Sequence, residues 1–269
     1  MDITKYYAIE GEKPLDFIPS NGGLSAIFRT IACIGDSMSS GEHESVDENG
    51  TAGFHGLYEH SWGQYMARTI GAKVYNFSRG GMTSAEYCQS YAEEQGFWNP
   101  EFACQAYILA LGLNELTNTP QKVGTTADIC LDDHTKNNME TFAGCYGRII
   151  QKYREIEPKS RMFLMTIPKR TTEEPDYSAK LDAHAALLYK IAEMFPFTYV
   201  IDLRNYVPAA DEKFLADFHL GYHMNAAGYR MIALMVMSYI DYIIRNNPED
   251  FTQVGFIGKG GIHNKNAKW

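Results

Sequence analysis

The feature that most limits the folds open to this chain is the alternation of five short, β-branched and aromatic runs with stretches of helical periodicity. The runs cover residues 27–34, 73–77, 106–111, 161–167 and 198–203. They are predominantly apolar and read as strands buried on both faces. Apolar residues recur at three- and four-residue spacing over 137–156, 176–194 and 226–246. Two tetrads, Ser61-Trp62-Gly63-Gln64 and Thr83-Ser84-Ala85-Glu86, fit the capping box that opens a helix. Strand–helix alternation of this kind predicts a parallel sheet with helices on both faces, and 269 residues suffice to bury one large core.

Connection lengths add a direction. The returns from helix to strand are brief: Gly71-Ala72, residues 158–160 and Pro196-Phe197. The exits from strands at 37–60, 112–136 and 204–224 are long, and long loops in compact domains are commonly functional. All three lie at the carboxyl edge of the predicted sheet, where open α/β sheets bind ligands.

Composition removes several classes. Hydrophobic residues at 45% and charged residues at 21% suit a globular chain and exclude disordered and fibrous ones. The net charge of −9 repels polyphosphate, so no nucleic-acid partner is expected. Five cysteines without a CxxC pair suit reduced thiols in a cytosol. The opening "MDITKYYAIEGEKPLDF" lacks the basic-then-apolar order of a signal peptide, and the apolar run 231–240 is short for a bilayer. The expectation is a soluble, cytoplasmic protein with no membrane partner. It divides into an N-terminal surface extension (1–24), one domain (25–250) and a C-terminal tail (251–269).

Four segments put reactive residues at that edge: Ser37 in "IGDSMSSG", Gly81 in "NFSRGGMTS", Gly112 and Asn114 in "LGLNE", and His223 in "HMNAAGY". Singly, each is a turn or cap residue. Together, in this order and at strand ends, they resemble the four blocks of the SGNH hydrolases, also called GDSL-type esterases. The resemblance implies a flavodoxin-like three-layer α/β/α sandwich with a five-stranded parallel sheet. It implies Ser37 as nucleophile and His223 as base, then acid. It also implies an oxyanion hole from the backbone N–H groups of Ser37 and Gly81 and the Asn114 carboxamide. A neutral imidazole near pH 7 suits the proton transfer, and each oxyanion donor contributes about 3–4 kcal/mol to the transition state. Glycine at 81 keeps a side chain out of the path of the oxyanion.

The last block departs from the family's DxxH, because Leu220 stands where the aspartate would orient the histidine. Three substitutes are open: a Ser–His dyad with the ring held by a main-chain carbonyl, which is favoured; Asp217 reaching Nδ1; or His219 as the base. Glu115, in place of the family's common aspartate, leaves Asn114 in register.

The remaining candidates read as structural. His43, His55 and His60 with Glu42, Glu44, Asp47 and Glu48 are expected to form a solvated loop lining the cleft, since their spacing matches no metal motif. "GFIGKGG" (255–261) lacks the strand–loop–helix context of a phosphate loop and reads as tail. Asp36 reads as a turn-former. No metal or cofactor is expected. The expected activity is hydrolysis of small acyl esters, acetyl foremost, of a carbohydrate or other small alcohol. An acyltransferase using the same acyl-enzyme and a non-catalytic ligand-binding protein are the alternatives.

Overall fold

In a computed structural model, residues 3–119 and 121–252 are described; the expected tail and its glycine-rich stretch lie almost wholly outside them. Among the described residues there are nine strands: β1 Thr30–Gly35, β2 Glu42–Val46, β3 Ala52–Gly56, β4 Lys73–Asn76, β5 Ala106–Ala110, β6 Arg161–Met165, β7 Thr198–Ile201, β8 His219–Leu220 and β9 His223–Met224. The five expected runs form one sheet in the order β4-β1-β5-β6-β7, every pair parallel.

Side-chain alternation along the central strands builds two cores. Ala32, Ile34, Tyr107 and Leu109 face helices Phe142–Ile156 and Pro175–Met194, packing with Cys145, Ile149, Leu188 and Ile191. Ile31, Cys33, Ala106 and Ile108 face helices Trp62–Ile70 and Ala226–Asn246, packing with Trp62, Met66, Val236 and Ile240. A period of two with both faces buried is what the continuous apolar runs encode. The result is the three-layer α/β/α sandwich.

Helix Ala226–Asn246 has the bounds expected of it, with Asn225 accepting from Gly228 N at 2.9 Å as its cap. At 21 residues it is long and apolar enough to cross a bilayer, beyond what the shorter run 231–240 suggests. Its most apolar window is, however, 67% buried inside the fold.

Two boundaries shift for local reasons. β1 begins at Thr30, because Gly22 and Gly23 take positive φ (81° and 54°) and residues 23–27 form a 3₁₀ turn whose Leu24 N–H donates to Asp241 at 2.7 Å. Upstream, Glu12 pairs with buried Arg245 of the last helix at 2.5 Å, and Leu15 packs on the core. Helix 142–156 starts five residues later than its periodicity, at the Thr141 cap, whose hydroxyl accepts from Gly144 N at 3.1 Å. Asn137, outside the helix, instead donates to Gly144 O and Gln151. The two capping tetrads keep one arm each: Ser61 accepts from Gln64 N and Thr83 from Glu86 N. Their return arms go elsewhere, Gln64 to Tyr58 and Glu86 to Arg79.

The long exits contain structure that apolar periodicity does not mark. Residues 37–60 hold a helical turn, Ser37–Ser40, and the β2–β3 hairpin, whose turn is tied by Asp47 accepting from Asn49 N and Thr51 N at 2.8 Å each. Residues 204–224 hold helix Glu212–Phe218 and the β8–β9 hairpin. Both hairpins stand over the carboxyl edge of the sheet.

Candidate active site

β1 delivers Ser37. At its end Asp36 caps the turn 37–40: its carboxylate accepts from Met38 N at 3.0 Å, and its carbonyl from Ser39 N and Ser40 N. The turn-former role expected of Asp36 is therefore the one it plays. Burial pushes the Asp36 carboxyl up to about 7, against the pull of the Met38 N–H and with help from the neighbouring Glu115 charge.

The glycine and asparagine blocks flank this turn. Gly81 has φ 73° and an added Cβ would meet nothing within 4 Å, so its backbone conformation, more than local crowding, is what calls for glycine. Its N–H makes no hydrogen bond within the protein among the described residues and is free to donate. Gly80 is the crowded one, since a Cβ there would lie 2.4 Å from Glu42 Oε2. The Asn114 carboxamide donates to Met82 O at 3.1 Å and Asp36 Oδ2 at 3.5 Å, and its oxygen accepts from Asn118 at 2.8 Å. Glu115 turns inward, is buried, and accepts from Ser84 N. It thereby ties the asparagine block to the helix that follows the glycines, and burial raises its carboxyl above the usual range.

His223 is held by a residue read as part of a solvated loop. Its Nδ1 lies 2.5 Å from Oε1 of Glu44, and the same oxygen accepts from Tyr222 N at 2.8 Å and His223 N at 3.2 Å. Glu44 is only 8% exposed. Far apart in sequence, β2 and the β8–β9 hairpin meet here because Gly221 has φ 65° and no side chain; a Cβ would fall 1.9 Å from Glu44 Oε2. On β2, residues 42 and 44 share one face while His43 turns to the other, against Tyr229. Glu42 therefore also reaches the ring, its Oε1 lying 3.3 Å from Nε2 of His223. Phe54, opposite Glu44 in the hairpin, packs edge-on against the imidazole at 5.9 Å.

This arrangement replaces all three substitutes considered for the missing aspartate. No main-chain carbonyl holds Nδ1, because Glu44 occupies that position. Asp217 pairs with Lys213 at 2.5 Å on one exposed helix face, and its backbone carbonyl, not its carboxylate, reaches the last block by accepting from Asn225. His219 has no partner at Nδ1, and burial, reinforced by the Arg170 charge, pushes it down to about 4. Leu220 itself is 42% exposed and points out of the site.

Ser37, Gly81, Asn114 and His223 line one cleft of about 610 Å³, together with Asp36, Glu42 and His219. The four residues expected to converge thus border a single cavity. No hydrogen bond joins Ser37 to His223 among the described residues, since Nε2 faces Glu42. Of the three histidines of the 37–60 segment, His43 and His60 pack edge-on at 6.0 Å, His43 meeting Gly41 O and His60 the Tyr65 hydroxyl, while His55 stands apart and meets Ser45 Oγ. The one sequence signal for Glu44 is the alternation Glu42-His43-Glu44, a strand pattern too short and too polar to distinguish from a loop.

The same architecture recurs in solved structures. A family two carbohydrate esterase from Clostridium thermocellum, crystallised with cellohexaose, is 14% identical, with a TM-score of 0.55 over 90% of this chain and 67% of that one. A carbohydrate esterase family 2 enzyme from Corynascus thermopiles (Myceliophthora fergusii) is 15% identical, with a TM-score of 0.57 over 85% of this chain and 68% of that one. A Lactobacillus plantarum protein is 16% identical, with a TM-score of 0.59 over 80% and 97%. At such identities the likeness bears on the fold. No curated protein matches the sequence. A family model does match, over residues 33–231, which takes in Ser37, Gly81, Asn114 and His223; the chain belongs to the GDSL-like Lipase/Acylhydrolase family.

Proposed function

We propose that the protein is a serine esterase that removes small acyl groups, acetyl foremost, from a carbohydrate or another small alcohol. The observation that carries this reading is the Glu44–His223 pair, set in the cleft that also presents Ser37, Gly81 and Asn114. With Nδ1 donating to Glu44, Nε2 is the nitrogen left to accept the Ser37 proton. The carboxylate fixes the tautomer and stabilises the imidazolium that forms, as the acid does in other serine hydrolases. Ser37 then attacks the ester carbonyl, and the developing oxyanion is met by the free N–H of Gly81, that of Ser37 and the Asn114 amide, which gives up its long 3.5 Å contact with Asp36 to do so. His223 returns its proton to the leaving alcohol, and water repeats the sequence to release the acid.

In the resting arrangement Glu42 faces Nε2, so the reading requires that its side chain, 23% exposed to solvent, swing aside when substrate enters. Catalytic hydrogen bonds often tighten only in the substrate complex. A fluorophosphonate is expected to label Ser37 once and to abolish p-nitrophenyl acetate turnover, and Ser37→Ala is expected to lose both. Undiminished turnover in Ser37→Ala defeats the assignment. The Nε2–Glu42 contact also favours a second reading, a ligand-binding protein without catalysis; absence of label together with a thermal shift by an acylated sugar would select it.

A further inference from the structure

The cleft carries one positive charge that no ion pair answers among the described residues. Its wall beyond His219 is built from the segments after β6 and β7, joined by a parallel bridge in which Ala210 N donates to Lys169 O at 2.8 Å and Thr171 N to Ala210 O at 2.9 Å. The charged side chains of that wall are otherwise paired: Lys169 with Asp182 at 3.6 Å, and Glu173 with the buried Arg204 at 2.9 Å. Arg170 lines the same cleft as Ser37 and His223 and is exposed. Its backbone is fixed by the bridge and by Glu173, which accepts from Arg170 N at 2.9 Å. Its guanidinium has no ion pair or hydrogen bond among the described residues.

Its position says which part of an ester it would meet. The positive charge is felt by His219 and by Tyr177, both lining the cleft. His219 is on β8, paired antiparallel with the β9 strand that carries His223. An acetyl group has no place for an anion, so a substrate charge that meets Arg170 belongs to the alcohol portion. Glu42 lies at Nε2 of His223, and Asp36 caps the turn that carries Ser37.

We infer that the alcohol portion of the substrate carries an anionic oxygen group, a carboxylate or a phosphate, and that Arg170 is the specificity residue that binds it. The inference rests on the esterase reading above. A guanidinium presents a planar fork matched to either anion. Binding made equally in ground and transition states appears in KM and leaves kcat alone.

The test compares three aryl acetates with wild-type protein and with Arg170→Ala: neutral phenyl acetate, 4-acetoxybenzoate and 4-acetoxyphenyl phosphate. Taking each ester's ratio between the two proteins cancels its intrinsic reactivity. Arg170→Ala is expected to lower kcat/KM about tenfold for one or both anionic esters, mainly through KM, and to leave phenyl acetate within about twofold. The anionic preference should shrink between low and high salt. Which anion loses more distinguishes an acidic alcohol from a phosphorylated one. Equal ratios for all three esters, with turnover intact, overturn the inference alone. If no ester turns over and Ser37 takes no fluorophosphonate, the esterase reading falls and this inference falls with it.

Discussion

Glu44 concentrates the chemistry of the site in one side chain. One of its oxygens meets the imidazole and two backbone N–H groups, so removing it leaves three donors without an acceptor in a nearly dry place. Glu44→Ala is expected to lower kcat by about 10⁴, the order seen when the orienting acid of a serine hydrolase is disabled, whereas Asp217→Asn, on the far side of its helix, should leave turnover within about twofold. Steady-state kinetics on p-nitrophenyl acetate separates the two. Asp36 makes a different prediction. Its folded carboxyl is raised from an unfolded value of 3.8 to about 7, so the folded state binds the extra proton between those values. Stability from this group is full below the unfolded value and is lost as pH rises through the folded one, at about 1.4 kcal/mol per pH unit in between. Asp36→Asn keeps an oxygen for Met38 N and removes the titration. Its melting temperature should therefore gain on the wild type at pH 8 and not at pH 4; an equal offset at both would contradict the burial argument.

At the scale of elements, the active site depends on two hairpins that extend the sheet's carboxyl edge. The β2–β3 hairpin brings both carboxylates to the ring, and Tyr229 of the last helix clamps it by donating to Glu42 O at 2.6 Å. The turn between β8 and β9 works only because residue 221 is glycine, on two counts: a left-handed φ of 65° and the nearness of Glu44. Gly221→Ala is expected to cost about 1–3 kcal/mol by chemical denaturation and to reduce turnover by at least tenfold, since the added carbon must push Glu44 off the imidazole. A variant that loses stability but keeps full turnover would show that the pair tolerates the displacement.

For the molecule as a whole, the sheet was legible and the hairpins were not. Ile31 to Ile34 and Ala106 to Leu109 are buried alternately on two faces, and such runs carry their fold in plain hydrophobicity. That Ser37, Gly81, Asn114 and His223 border one cleft was legible because each stands in a short block resembling the family's, near the carboxyl edge of the sheet. Glu44 was not, because its partner is 179 residues away and its strand is mostly polar. The start of β1 was misplaced for a related reason: Leu24 and Ile27 are apolar, yet they cover the last helix and do not pair with a neighbouring strand.

Since a hairpin far along the chain lays its carboxylate on the imidazole, the acid that meets the ring need not come from its own stretch of chain. A carboxylate can change address, from three residues upstream of the histidine to a distant ribbon, without disturbing the nucleophile. A family member can therefore lack the acid of the linear signature while a carboxylate from a distant segment meets its histidine in space.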